Sequence, residues 1–162
     1  MNKINDYFLA ERNESLILIL IGSAAFVCSL YFWFVVNERF YNGLSWPLVF
    51  IAFIQISVGT IVYLRSPQDS KRVQNFVNTL PKNIKAVEIP RMEKVMNNFR
   101  IYRYVEISLI LVGLTVFIIT SAGGFWRGLS LGLIIQSGIM LLADYFAESR
   151  GLRYLGYLKE MF

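Results

Sequence analysis

The sequence predicts an all-α integral membrane protein: a four-transmembrane-helix antiparallel bundle with a short amphipathic cytoplasmic helix between spans 2 and 3. Three observations carry this. Hydrophobic residues make up 56% of the 162-residue chain and charged residues only 17%, against about 25% charged in an ordinary soluble domain. The mean hydropathy is +0.50. The apolar residues gather into four charge-free stretches, close to the ~20 residues a helix needs to cross hydrocarbon. Disorder is excluded, because its signature is low hydrophobicity with high net charge. One membrane domain accounts for the whole of 1–162.

The first span, about 15–37, lies in the 23 uncharged residues between Glu14 and Glu38. Lys3 and Arg12 precede it, as in a signal peptide. Its apolar run is longer than the 7–15 residues of a cleavable core, and no small-x-small site follows, so it is read as an uncleaved span. The second, about 45–65, lies in the 25 uncharged residues between Arg39 and Arg65. The third, about 101–122, draws on the 20 between Glu106 and Arg127. Only 16 uncharged residues separate Arg127 from Asp144. They cover ~24 Å, so the fourth span, about 127–147, must run through Asp144 to reach the far side.

Lys and Arg set the orientation. Fourteen of the sixteen fall in the N-terminal tail, in the segment from Arg65 to Arg103 and in the C-terminal tail. By the positive-inside rule that side is cytoplasmic, which makes this a multi-pass protein of the cell's inner membrane with both termini inside. Topology thereby accounts for the net charge of +5 without nucleic acid. Tyr31, Trp33, Tyr41, Trp46 and Trp126 gather at the outer ends, where aromatic belts form.

In the cytoplasmic loop, 66–100, Ser66-Pro67 reads as an N-cap with proline at N1 and Asp69 in the first turn. Val73, Phe76, Val77 and Leu80 recur at i, i+3, i+4 and i+7, and Pro81 stops the pattern. This predicts a short helix on the inner membrane face. Pro90 opens a further helix, with Met92, Val95, Met96 and Phe99, that continues into the third span. Gly43-Leu44-Ser45 and Gly128-Leu129-Ser130 suggest a repeat of two hairpins.

A small or polar residue stands every seven positions: Ser15, Gly22, Ser29; Ser45, Ala52, Gly59; Glu106, Gly113, Thr120; Ser130, Ser137, Asp144. In lipid such residues mark helix–helix seams. Gln55 and Gln136 lie near mid-membrane, as a mutual hydrogen bond or a ligand contact. Gly128 and Gly132 form a separate ridge, the expected interface of a homo-oligomer. Glu106 and Asp144 are equidistant from a turn near position 125 and should face each other at the cytoplasmic boundary, with Arg103 and Glu148 one turn below. Glu14 and Arg65 bracket the first hairpin at similar depth. This set is a structural ion-pair network or an ion or proton site.

With no histidine, His–metal sites and Ser-His or Cys-His pairs are excluded, and lone Cys28 makes no internal disulfide. No phosphate loop or nucleophile elbow is present, so neither enzyme activity nor a cofactor or metal is expected. The layout is similar to that of small multidrug exporters, four-span glutathione-dependent enzymes and immunity proteins against pore-forming toxins, without their distinguishing residues. Two functions remain: an oligomeric channel- or transporter-like protein for small ions or solutes, or a non-transporting regulatory or immunity-type partner. The second would act through its basic cytoplasmic face on anionic lipid or another protein.

Overall fold

A computed structural model describes residues 3–161. Four long helices, α1 Lys3–Tyr31, α2 Arg39–Thr79, α3 Ile89–Ile119 and α4 Phe125–Met161, hold most of the chain, and no strand occurs among the described residues. A π turn, Phe32–Val36, extends α1, and another, Ile84–Glu88, leads into α3. Asn37 at φ 47° ends the first π turn, its N–H bonding the Phe32 carbonyl at 2.9 Å. Gly123 at φ 77° makes the sharp turn between α3 and α4. All four helices are long and apolar enough to cross a membrane, with windows of mean hydropathy 2.2, 2.1, 1.8 and 1.6.

The helices far exceed a bilayer. At 1.5 Å per residue, the 41 residues of α2 reach ~62 Å, about twice the hydrocarbon thickness. Trp126 and Tyr145 on α4, both exposed, stand ~28 Å apart. Exposed Tyr102 and Tyr104 on α3 lie near the level of Tyr145. Beyond it every helix continues at the end that carries both termini, here called the basic end.

Burial pattern separates the two halves. Within the spans the buried positions are mostly glycine, serine and glutamine, while Phe53 and Ile118 are 70% and 78% exposed. At the basic end the order reverses, and Ile4, Tyr7, Phe8, Val73, Ile84, Met92, Tyr154, Leu155 and Leu158 form one buried core. Lipid is as apolar as leucine and gives no reason to hide it, whereas water does. All four helices or their leads contribute to this core. Burying each such side chain from water contributes about 1.5–3 kcal/mol.

That core corrects two expectations. The segment after Pro67 is no separate surface helix, because α2 runs on unbroken to Thr79. Proline forfeits one backbone hydrogen bond, but contacts with α1 and neighbouring ion pairs offset the loss. Ser66 donates to the Phe8 carbonyl at 3.0 Å and to Glu11 at 2.6 Å instead of capping, and Asp69 pairs with Arg65 at 3.0 Å and Arg72 at 2.8 Å. Val73 is fully buried and Phe76 and Val77 pack beside it, so this part of the stripe faces a helix bundle, whereas Leu80 at its end is exposed. The termini, read from sequence as charged tails, are helical and supply six of the nine core residues.

Within the spans the packing runs α1–α2–α4–α3. The two hairpins therefore meet through α2 and α4, which run parallel, and not as a closed antiparallel square. The contact is reciprocal: a Cβ at Gly43 would run into the Phe125 carbonyl, and one at Gly128 into the Phe40 carbonyl. Both glycines sit in the same Phe-x-x-Gly-Leu-Ser pattern, at 40–45 and 125–130, which fits two hairpins related by an axis along the helices.

Candidate functional site

Small residues set the seams from which the site is built. Gly22 packs on Gln55 and Ala52 of α2, Gly59 on Ser15 and Ile19 of α1, and Gly113 on Ser130 and Ile134 of α4. Gly128 and Gly132, the expected oligomer interface, are occupied within the chain. A Cβ at Gly132 would stand 2.7 Å from the Leu44 carbonyl oxygen. The ridge looks spare in sequence because its partner, Phe40 to Pro47, lies more than eighty residues away. With α2 seated on it, it supplies no surface for self-association.

Gln55 and Gln136, both fully buried, meet across the α2–α4 seam, the Gln55 amide donating to Gln136 Oε1 at 3.2 Å. The other carbonyl oxygen and amide nitrogen of the pair have no partner among the described residues, and neither does Ser137 Oγ. Glycine-to-carbonyl contacts thus hold α2 and α4 together at one end of the seam, and the amide pair joins them at its middle.

Glu106 on α3 is 6% exposed and lies within hydrogen-bonding reach of Asp144 on α4. Glu106 Oε2 and Asp144 Oδ2 have no partner among the described residues. Arg103 does not reach up between them but pairs with Glu148 one turn below. Beside these residues a groove of about 910 Å³ opens on the outer face of α3 and α4, from Gly138 to Arg153. Glu14 and Arg65 do not pair with each other: Glu14 takes Arg150, and Arg65 takes Asp69 with Glu11 at 3.7 Å.

The most enclosed ionic group was not read from the sequence. Glu88, at the end of the second π turn, is fully buried. It accepts two hydrogen bonds from Arg91, at 2.9 and 2.6 Å, and one from the Tyr154 hydroxyl at 3.3 Å, with Arg72 at 3.6 Å. Burial alone would lower the Arg91 pKa, but bonding and attraction to Glu88 outweigh it and hold the guanidinium above its ordinary value. Tyr154 stacks on Tyr7 with ring centroids 4.1 Å apart, and burial pushes both phenols up. The available signal was the Glu88–Arg91 spacing beside Pro90. Without the fold, it is indistinguishable from a solvated helix start.

Six cations at the basic end, Lys71, Lys82, Lys85, Lys94, Arg100 and Arg153, are exposed and make no ion pair among the described residues. Also among those residues, no group of three or more His, Cys, Asp or Glu could hold a metal ion. No family model matches the chain, and neither a curated protein nor a solved structure matches it.

Proposed function

We propose that this is a non-transporting partner protein of the cell's inner membrane: a rigid, basic helical platform on the cytoplasmic face for an acidic protein segment or anionic lipid. The observation that carries it is the division of the molecule. The α2–α4 seam is closed by glycine-to-carbonyl contacts, whereas all four helices project past the membrane and pack around one core. Lys71, Lys82, Lys85, Lys94, Arg100 and Arg153, without an ion pair among the described residues, coat that projection and attract anionic groups at about 1 kcal/mol each near a charged surface. Both termini are cytoplasmic in this reading. A reporter active only outside the membrane should work when fused after Asn42 or Gly124 and stay silent after Lys82; activity at Lys82 would invert the layout.

A second reading, ion or proton transport by an oligomer, draws on Glu106 and Asp144. Two adjoining carboxylates repel unless a proton or cation joins them, and each has one buried oxygen without a partner among the described residues. Planar-bilayer and vesicle-flux measurements separate the readings. The platform predicts no current and no proton flux from purified protein, with Glu106→Gln changing only thermal stability. Flux that Glu106→Gln or Asp144→Asn abolishes, in folded protein, would establish transport instead.

A further inference from the structure

The groove on α3 and α4 changes character along its length. Its membrane part is walled by Ile107, Leu141 and Leu142, with Gly138 as a gap. A Cβ at Gly138 would meet nothing within 4 Å, unlike the seam glycines. Tyr145 stands exposed part-way down, and below it come Ser149, Arg153 and the Arg103–Glu148 pair. Helical side chains tilt towards the helix N-terminus, so Arg153 leans back up the groove towards the membrane, and its long stem suits that level. It is exposed and makes no ion pair among the described residues. Two arginines against one glutamate leave the polar end net positive. Gly138 and Arg153 are ~22 Å apart along α4, close to one leaflet of ~15 Å plus its headgroup layer.

We propose that this groove holds one anionic phospholipid of the adjoining leaflet, an acyl chain along Gly138, Leu141 and Ile107 and the phosphate at Ser149 and Arg153. The site deepens the platform reading by naming where the anionic lipid sits, and it takes the leaflet's identity from that reading. Apolar walls match the chain, and the free guanidinium and hydroxyl match the phosphate. Neither glutamate nor arginine is stripped of its existing partner by such a ligand.

The experiment is native mass spectrometry of the full chain in neutral detergent, titrated with phosphatidylglycerol or with phosphatidylcholine of the same acyl composition. One phosphatidylglycerol should be retained in preference. Arg153→Gln should reduce its retention about five-fold, the effect of one basic residue. Gly138→Leu, whose Cβ meets nothing within 4 Å, should reduce it for either lipid without lowering the melting temperature of lipid-free protein. Arg39→Gln, exposed at the opposite end of the molecule from the basic end and away from the groove, should have no effect. Equal retention of the two lipids, or wild-type retention by both groove variants, would overturn the site. So would a dimer that excludes lipid and is broken by Gly138→Leu, which would assign the groove to a second copy. Failure of lipid retention alongside absent current and an unchanged reporter pattern removes this site alone and leaves the platform standing.

Discussion

Gly128→Leu is expected to part the two hairpins. A Cβ at that position runs into the Phe40 carbonyl oxygen and lies 3.0 Å from the Leu44 nitrogen. Backbone cannot rotate aside as a side chain can, so α2 and α4 must separate. Separation breaks the Gln55–Gln136 bond and leaves both amides in an apolar environment. Overpacking of this kind costs 1–3 kcal/mol and occasionally more, and the lost interhelical hydrogen bond adds about 1 kcal/mol. The sum, roughly 3 kcal/mol, corresponds to a fall on the order of 10 °C in melting temperature. Circular dichroism in mild detergent measures it. Gly151→Ala is the control, because the atom it meets is the flexible Met96 methyl, and it should fall by far less. Equal melting of Gly128→Leu and wild type would mean the hairpins do not meet on this seam.

Glu88→Gln is expected to loosen the basic end while the spans stay packed. The variant keeps the shape but removes the charge that neutralises Arg91, whose side chain is only 24% exposed. Breaking a buried ion pair by altering one partner costs about 3–5 kcal/mol. Arg72 is 41% exposed and resolvates easily, so Arg72→Gln should cost under about 1 kcal/mol. Hydrogen exchange should rise through the second π turn and the ends of α1 and α4. Trypsin should cut faster at Lys82, just before the turn, and at Lys85 within it. Unchanged protection in Glu88→Gln would show that the core holds this end without the network.

Residues of three kinds illustrate how far sequence reasoning reaches. Ser15, Gly22, Ser29, Ser45, Ala52 and Gly59 were legible as a seam and are buried between α1 and α2, because a seven-residue period is a property of one helix surface. Glu106 and Asp144 were legible as neighbours, because a hairpin with a short turn fixes which positions lie level. Gly128 and Gly132 were legible as a contact but not as a contact with α2. Nothing local distinguishes a ridge used within the chain from one used between chains.

Pro67 and Glu88 mark the other limit. A Ser-Pro-x-Asp start is a sound local signal, yet α1 lies alongside and takes up Ser66 and Val73, so tertiary burial overrides the start signal. Glu88 has two partners on α2 and α4, and their meeting depends on how far those helices run beyond the membrane.

Composition and charge placement alone dictate four apolar spans with both ends of the chain on one side, since the cost of a charge in hydrocarbon acts on each helix separately. Which helices touch is a different kind of fact. In lipid no hydrophobic force sorts one apolar helix from another, so pairing rests on the fit of Gly43 to Phe125 and Gly128 to Phe40, a match of surfaces that exists only once both hairpins are formed. Beyond the membrane water restores that force, and it gathers the extensions of all four helices over Tyr7, Val73, Met92 and Tyr154 into an ordinary hydrophobic core.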